Sequence, residues 1–154
     1  MRNAEIVRVF KNIAALLELK GDNPFKIRSY QQAAYLLEKM PEDLALVVRE
    51  GRLREFPGIG EAIAAKITEM VTTGHLKYYE ELRAQFPEGV IALLTVPGIG
   101  PRTAPRLNSE LGINSVEYLE AAIRRGEVAA LSHLGEKTAE NILNHIESLK
   151  RNKA

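Results

Sequence analysis

Apolar residues recur at three- and four-residue spacing through most of this chain and nowhere in a sustained alternation of two, so the pattern predicts helices and no strands. Ile6, Val9, Phe10, Ile13, Leu16 and Leu17 mark an amphipathic helix over residues 3–19, stopped by Gly21-Asp22-Asn23-Pro24. The same period returns from Phe25 to Lys39 through Ile27, Tyr30, Ala33, Ala34 and Leu37, and Met40-Pro41 ends it. Further helices are expected over Glu42–Glu50, Glu61–Thr73, Leu76–Ala84, Val90–Leu94, Pro101–Leu111, Val116–Arg125 and from Glu136 onward, with breaks at Gly51, Gly74, Gly112 and Gly126. Phe86-Pro87-Glu88-Gly89 reads as a junction, giving an all-α chain of two small helical domains, residues 1–85 and 86–154.

Between these helices one short phrase is written twice, forty positions apart: Phe56-Pro57-Gly58-Ile59-Gly60 and Val96-Pro97-Gly98-Ile99-Gly100. The physical reading is a tight turn in which both glycines allow positive φ and close backbone approach. Each turn opens into a helix whose first N–H groups lack intrahelical partners, so unpaired donors and the positive end of the macrodipole converge where an anion can sit. A degraded third copy, Leu131-Ser132-His133-Leu134-Gly135-Glu136-Lys137-Thr138-Ala139, keeps only the later glycine. After the shared glycine all three copies place an alanine and then an aliphatic: Ala64 and Ile67, Ala104 and Leu107, Ala139 and Ile142. An ordinary helix start in a bundle would account for any single copy. Pro105, one turn inside the second copy's helix, deletes the amide bond to residue 101 and predicts a kink or a tightened first turn.

Composition narrows the chemistry. The 154 residues carry 21 Lys and Arg against 20 Asp and Glu, a net charge of +1, with no cysteine and three histidines, His75, His133 and His145. Thiolate zinc sites, disulfides and cysteine nucleophiles are excluded, and a histidine-built metal site is not expected. No apolar run approaches a membrane span and no leader pattern is present, so the reading is a cytoplasmic protein. Near-neutral charge means that any nucleic-acid binding uses few phosphates, many through backbone amides, with a shallow salt dependence.

Turn, small-residue helix and preceding short helix together resemble the helix-hairpin-helix motif of DNA-binding proteins. The order of motifs resembles the N-terminal part of family X DNA polymerases of the bacterial and archaeal type. The resemblance runs through Asn23-Pro24-Phe25-Lys26-Ile27-Arg28-Ser29-Tyr30, Phe56 to Gly60 leading to Lys66-Ile67, Thr73-Gly74, Val96 to Ala104, Leu111-Gly112-Ile113 and Gly135 to Leu143. It implies a small first domain on the 5′-phosphate side of gapped or nicked DNA, and a fingers subdomain on the primer side, working as a monomer without sequence preference. The resemblance reaches Ala154, about where a polymerase palm would begin. No closely spaced aspartate pair on an apolar strand holds two magnesium ions, so nucleotidyl transfer is not expected from this chain alone.

The same resemblance places Lys66 at the lysine that attacks C1′ of an abasic sugar in a 5′-deoxyribose-phosphate lyase. Ala62 and Ala65 offer it a small apolar setting, and an amine nucleophile must be deprotonated. The residue also reads as a helix lysine that touches a phosphate or faces solvent. A phosphate pocket beside it would use Lys26, Tyr30 and Arg54, with Arg28 and Lys77 as weaker additions. Phe25 and Ala62 stand where lyase members of the family carry a basic or hydrogen-bonding residue, which weakens the lyase expectation. DNA-backbone contact is expected from Gly58, Ile59 and Gly60 in the first hairpin. In the second it is expected from Gly98, Ile99, Gly100, Arg102 and Thr103, with Arg106 further along the helix. Lys137 occupies the place of Arg102 in the third copy, which reads mainly as scaffold. No tightly bound cofactor is expected; the resemblance implies a Na+ or K+ at each hairpin, on the carbonyls of Arg54, Phe56 and Ile59 and of Leu94, Val96 and Ile99. Tyr78-Tyr79 reads either as a stacking platform or as one packed and one exposed ring. A non-catalytic module that anchors duplex DNA or mediates assembly is the competing reading.

Overall fold

A computed structural model describes residues 1–131 and 134–153. Among the described residues there are nine α-helices, one 3-10 turn and no strand. The chain divides into two compact units, Met1–Ala84 and Gln85–Ala154.

In the first unit α1 (Asn3–Lys20) and α2 (Pro24–Glu38) form an antiparallel pair. The hairpin between them is written locally: Gly21 takes φ 75° to end α1, and the Asn23 side chain accepts the Phe25 N–H at 2.8 Å to open α2, with Pro24 at the first helical position. α1 buries Ile6, Val7, Phe10, Ile13, Leu16 and Leu17, so Val7 rather than Val9 completes the apolar face. The short α3 (Leu44–Arg49) is tied to the start of α1 by Asn3, which donates to the Glu42 carbonyl at 2.7 Å and accepts the Leu44 N–H at 2.9 Å. A 3-10 turn (Leu53–Glu55) that the apolar spacing does not predict then leads into the first hairpin turn. α4 (Glu61–Thr73) drives Ile67 and Met70 fully into the core, each burial stabilising by about 1.5–3 kcal/mol. α5 (Lys77–Arg83) closes the unit against α1, where the Asn12 amide donates to the Tyr79 hydroxyl at 3.0 Å.

The second unit repeats the scheme with α6 (Glu88–Leu94), α7 (Thr103–Leu111), α8 (Val116–Arg124) and α9 (Gly135–Lys153) around Leu93, Leu107, Ile113, Leu119, Ile142 and Ile146. Glu88 and Gly89, expected in the junction, are the first residues of α6. Gly89 is buried, and a Cβ there would stand 2.7 Å from the Asn108 amide nitrogen and 3.0 Å from the Asn114 Cα, so this glycine serves close packing rather than flexibility. α7 starts two residues later than its counterpart α4. The missing N–H of Pro105 removes the bond that would begin the helix at 101, and the Thr103 N–H closes a tighter turn on the Gly100 carbonyl at 3.2 Å.

Candidate nucleic-acid interface

Both hairpin turns are built alike. Gly58 and Gly98 each take φ 93°, the left-handed region open to glycine, and the Ile59 and Ile99 N–H groups close the turns on the Phe56 and Val96 carbonyls at 3.2 and 3.1 Å. The second glycine behaves differently from expectation: Gly60 has φ −82° as the cap of α4, and Gly100 is not among the positive-φ glycines either. Only the first glycine of each phrase is required by backbone conformation. A Cβ at Gly60 or Gly100 would meet nothing within 4 Å, so their lack of a side chain leaves open space above the turn.

The isoleucines are likewise reassigned. Their side chains are buried and their N–H groups are spent inside the turn, so neither Ile59 nor Ile99 has an amide left for a phosphate. Among the described residues, the N–H groups of Gly58, Gly60, Glu61, Ala62 and Ile63 have no acceptor in the first hairpin. In the second the tightened start consumes the Thr103 N–H, leaving those of Gly98, Gly100 and Arg102. The Arg54, Ile59, Leu94 and Ile99 carbonyls accept no backbone bond among the described residues, and Phe56 and Val96 accept one each, leaving lone pairs on all six oxygens. Such neutral carbonyl oxygens suit a hard monovalent cation.

Beside the first turn lies a cleft of about 450 Å³ lined by Lys26, Ser29 and Tyr30 of α2, the turn glycines Gly58 and Gly60, and Glu61, Ala62 and Lys66 of α4. Its two ammonium groups converge on one ring. Lys26 Nζ lies 5.3 Å and Lys66 Nζ 5.0 Å from the centroid of Tyr78, and Lys66 is also 5.9 Å from that of Tyr30. The two rings stack nearly parallel, 10° apart at 6.1 Å, and Tyr30 in turn packs on Phe10. The aromatic pair, more than Ala62 and the exposed Ala65, supplies the apolar setting of Lys66. The neighbouring Tyr78 hydroxyl holds the Lys26 ammonium above the ordinary lysine value, against the opposing effect of partial burial. Burial first, then the neighbouring Tyr78, pushes the Tyr30 phenol well above the ordinary tyrosine range. Tyr30 is only 4% exposed, so it forms the wall of the cleft rather than a freely offered phosphate ligand.

Tyr78 is the residue the sequence reading undervalues. Neither tyrosine of the pair is exposed: Tyr78 is stacked on Tyr30, behind the cleft wall, and Tyr79 is half-buried against Asn12, with Arg83 5.4 Å from its ring. The signal available in the sequence is positional, since Tyr78 lies in the first turn of a helix just after the Thr73-Gly74 stop.

Other predicted residues fall elsewhere. Arg54 is exposed on the 3-10 turn and does not line the cleft; its neighbour Arg52 is held by Glu42 at 2.6 Å and Glu50 at 2.7 Å. Arg28 lies over the exposed Phe25 ring at 5.5 Å, and Lys77 pairs loosely with Glu81 at 3.9 Å. In the second unit Arg102 is exposed at the start of α7 with Thr103 following, while Arg106 pairs with Glu110 at 2.9 Å. In the third copy Ser132 and His133 lie outside the described residues. There Gly135 has φ 79° where Gly60 has φ −82°, so this copy does not repeat the turn geometry, although Ala139 and Ile142 are buried like their counterparts and Lys137 is exposed on α9. Among the described residues there is no cluster of three or more His, Cys, Asp or Glu that could hold a metal ion, and no helix long and apolar enough to cross a membrane.

Known proteins share this organisation. Residues 1–76 match the family described as helix-hairpin-helix domain, and residues 90–148 match the SAM-like helix-hairpin-helix tandem. The chain is 35% identical over 143 residues to the DNA polymerase/3'-5' exonuclease PolX of Bacillus subtilis, an alignment covering 93% of this chain and 25% of that protein. It is 27% identical over 161 residues to DNA polymerase lambda of Arabidopsis thaliana, covering 92% of this chain and 30% of the relative. The chain thus spans between a quarter and a third of the length of these relatives. Two hairpin units in this order, each matched by its own family and aligned together with the N-terminal part of such a polymerase, make this chain a helix-hairpin-helix protein that corresponds to the N-terminal region of family X DNA polymerases.

Proposed function

We propose that the chain binds gapped or nicked duplex DNA through sugar-phosphate contacts, without sequence preference, the first unit taking the 5′-phosphate side and the second the primer side. The observation that carries this reading is the convergence of Lys26 and Lys66 on the Tyr78 ring in a cleft shared with the first hairpin's unpaired amides. Two ammonium groups and several N–H donors facing one concavity match a terminal phosphate, which carries more charge than an internal diester. The second turn, with Arg102 and fewer free amides, suits a simple backbone clamp. A Na+ or K+ on the carbonyls of Arg54, Phe56 and Ile59, or of Leu94, Val96 and Ile99, would bridge turn and phosphate.

The same cleft supports a 5′-deoxyribose-phosphate lyase on Lys66. The neutral amine would add to C1′ of the opened abasic sugar and lose water to give an imine. Removal of a C2′ proton then breaks the C3′–O bond, and hydrolysis of the imine returns the lysine. A specific feature favours the non-catalytic alternative: the Glu61 carboxylate and the small Ala62 line the cleft where further cations would assist, and Arg54 lies outside it. Titration of gapped duplexes with and without a 5′-phosphate tests the binding reading, with tighter binding of the phosphorylated form expected and lost in Lys26→Gln. Equal affinity for the two would overturn the polarity. Borohydride trapping on a 5′-incised abasic duplex tests the lyase: an adduct absent from Lys66→Ala supports it, and no adduct in the unmodified protein removes it.

A further inference from the structure

The two turns differ in what lies beneath their left-handed glycine. A Cβ at Gly58 would strike Leu36 Cδ1 at 2.5 Å, whereas one at Gly98 would meet the imidazole of His145, with Nδ1 at 3.4 Å and Cε1 at 3.7 Å. The first turn rests on an aliphatic side chain of α2; the second has a hydrogen-bonding ring of α9 against it. His145 is exposed and makes no hydrogen bond or ion pair among the described residues. Its position is fixed from below, because Ile142 and Ile146 on the same helix are buried at 1% and 0% exposure and Ile142 Cγ1 also approaches the Gly98 site at 3.9 Å.

We propose that His145 is a DNA-contacting residue, donating from its ring to the phosphate group that the Gly98 and Gly100 amides bind. Among the described residues no carboxylate or other polar group is bonded to the ring. Val96, Pro97, Gly98 and Ile99 of the facing turn carry no ionisable group, and the helical neighbours of His145 three and four residues away are Asn141, Ile142, Ser148 and Leu149. The adjacent carboxylate on α9, Glu147, is engaged by Arg124 at 3.1 Å, and the first cation after the turn is Arg102, which would meet the same backbone. A further donor at the second turn also offsets the amide of Thr103 that the tightened start of α7 consumes. The contact is made to phosphate, so it adds grip without base preference.

This inference rests on the duplex-binding reading above. The test is the affinity of the full chain for a gapped duplex, measured for His145→Ala, His145→Gln and His145→Phe with helix content followed by circular dichroism. A lost hydrogen bond to a charged acceptor is expected to weaken His145→Ala about tenfold or more. Gln, which keeps a donor, is expected within about twofold of the unmodified protein, and Phe, which fills the space without a donor, as weak as Ala. Ala binding like the unmodified protein, or Phe restoring affinity, overturns the contact while leaving the duplex-binding reading intact. No duplex affinity in the unmodified chain overturns both.

Discussion

At the scale of single residues the cleft turns on a tyrosine pair. Tyr30 is buried between Phe10 and Tyr78, and its phenol is pushed upward chiefly by that burial; Lys26 is raised through the Tyr78 hydroxyl. Both groups bind their proton more tightly in the folded state than in the unfolded chain. The unfolded state therefore releases protons first as the solution becomes alkaline, and the stabilisation, complete below about pH 10, is lost as pH rises beyond it. The urea midpoint of the first unit is expected to hold up to about pH 9 and to fall between about pH 10 and about pH 12, and to fall less in Tyr30→Phe, where only the Lys26 contribution remains. Equal alkaline sensitivity in the two proteins would show that Tyr30 is not the group being held protonated.

At the scale of elements, the hairpins separate conformational need from open space. Gly58 and Gly98 sit at φ 93°, where a side chain is strained by about 1–2 kcal/mol, so their replacement mixes folding with binding. Gly60 and Gly100 have ordinary space for a methyl group, and Gly60 has an ordinary φ. Gly60→Ala and Gly100→Ala are expected to keep the thermal midpoint within about 2 °C while weakening duplex binding about tenfold, because the added carbon stands where a phosphate approaches the amides. Unchanged affinity in both would mean that the turns do not meet DNA. The helices were legible in the sequence because three- and four-residue spacing, Asn23-Pro24 and the Gly stops are local signals. The 3-10 turn at Leu53–Glu55 carries too few residues for a period, and Glu88-Gly89 reads as a linker in the sequence because a glycine that serves close packing looks like one that serves bending. Lys66 and Lys26 are legible through motif positions, but Tyr78 comes beside them, and His145 beside Gly98, only once α5 and α9 pack, which no spacing along the chain records.

At the scale of the whole molecule the near-balanced charge sets how DNA affinity should respond to salt. With 21 basic and 20 acidic side chains, many basic groups are already paired, among them Arg52 with Glu42 and Glu50, Arg106 with Glu110, and Arg124 with Glu120 and Glu147. In the proposed complex the side-chain cations that meet phosphate are principally Lys26, Lys66 and Arg102, while the hairpin amides would hold phosphates without bringing a full charge. Each phosphate neutralised by a side-chain cation contributes a slope of about −0.9 to the logarithm of affinity against the logarithm of salt, so three predict a slope of about −3. Lys26→Gln is expected to reduce that slope by about one. Gly100→Ala, which disturbs an amide site, is expected to lower affinity at every salt concentration with the slope unchanged. A slope of about −8 or steeper in the unmodified chain would instead require many charged contacts, and would move the basis of binding from the two turns to the general basic surface.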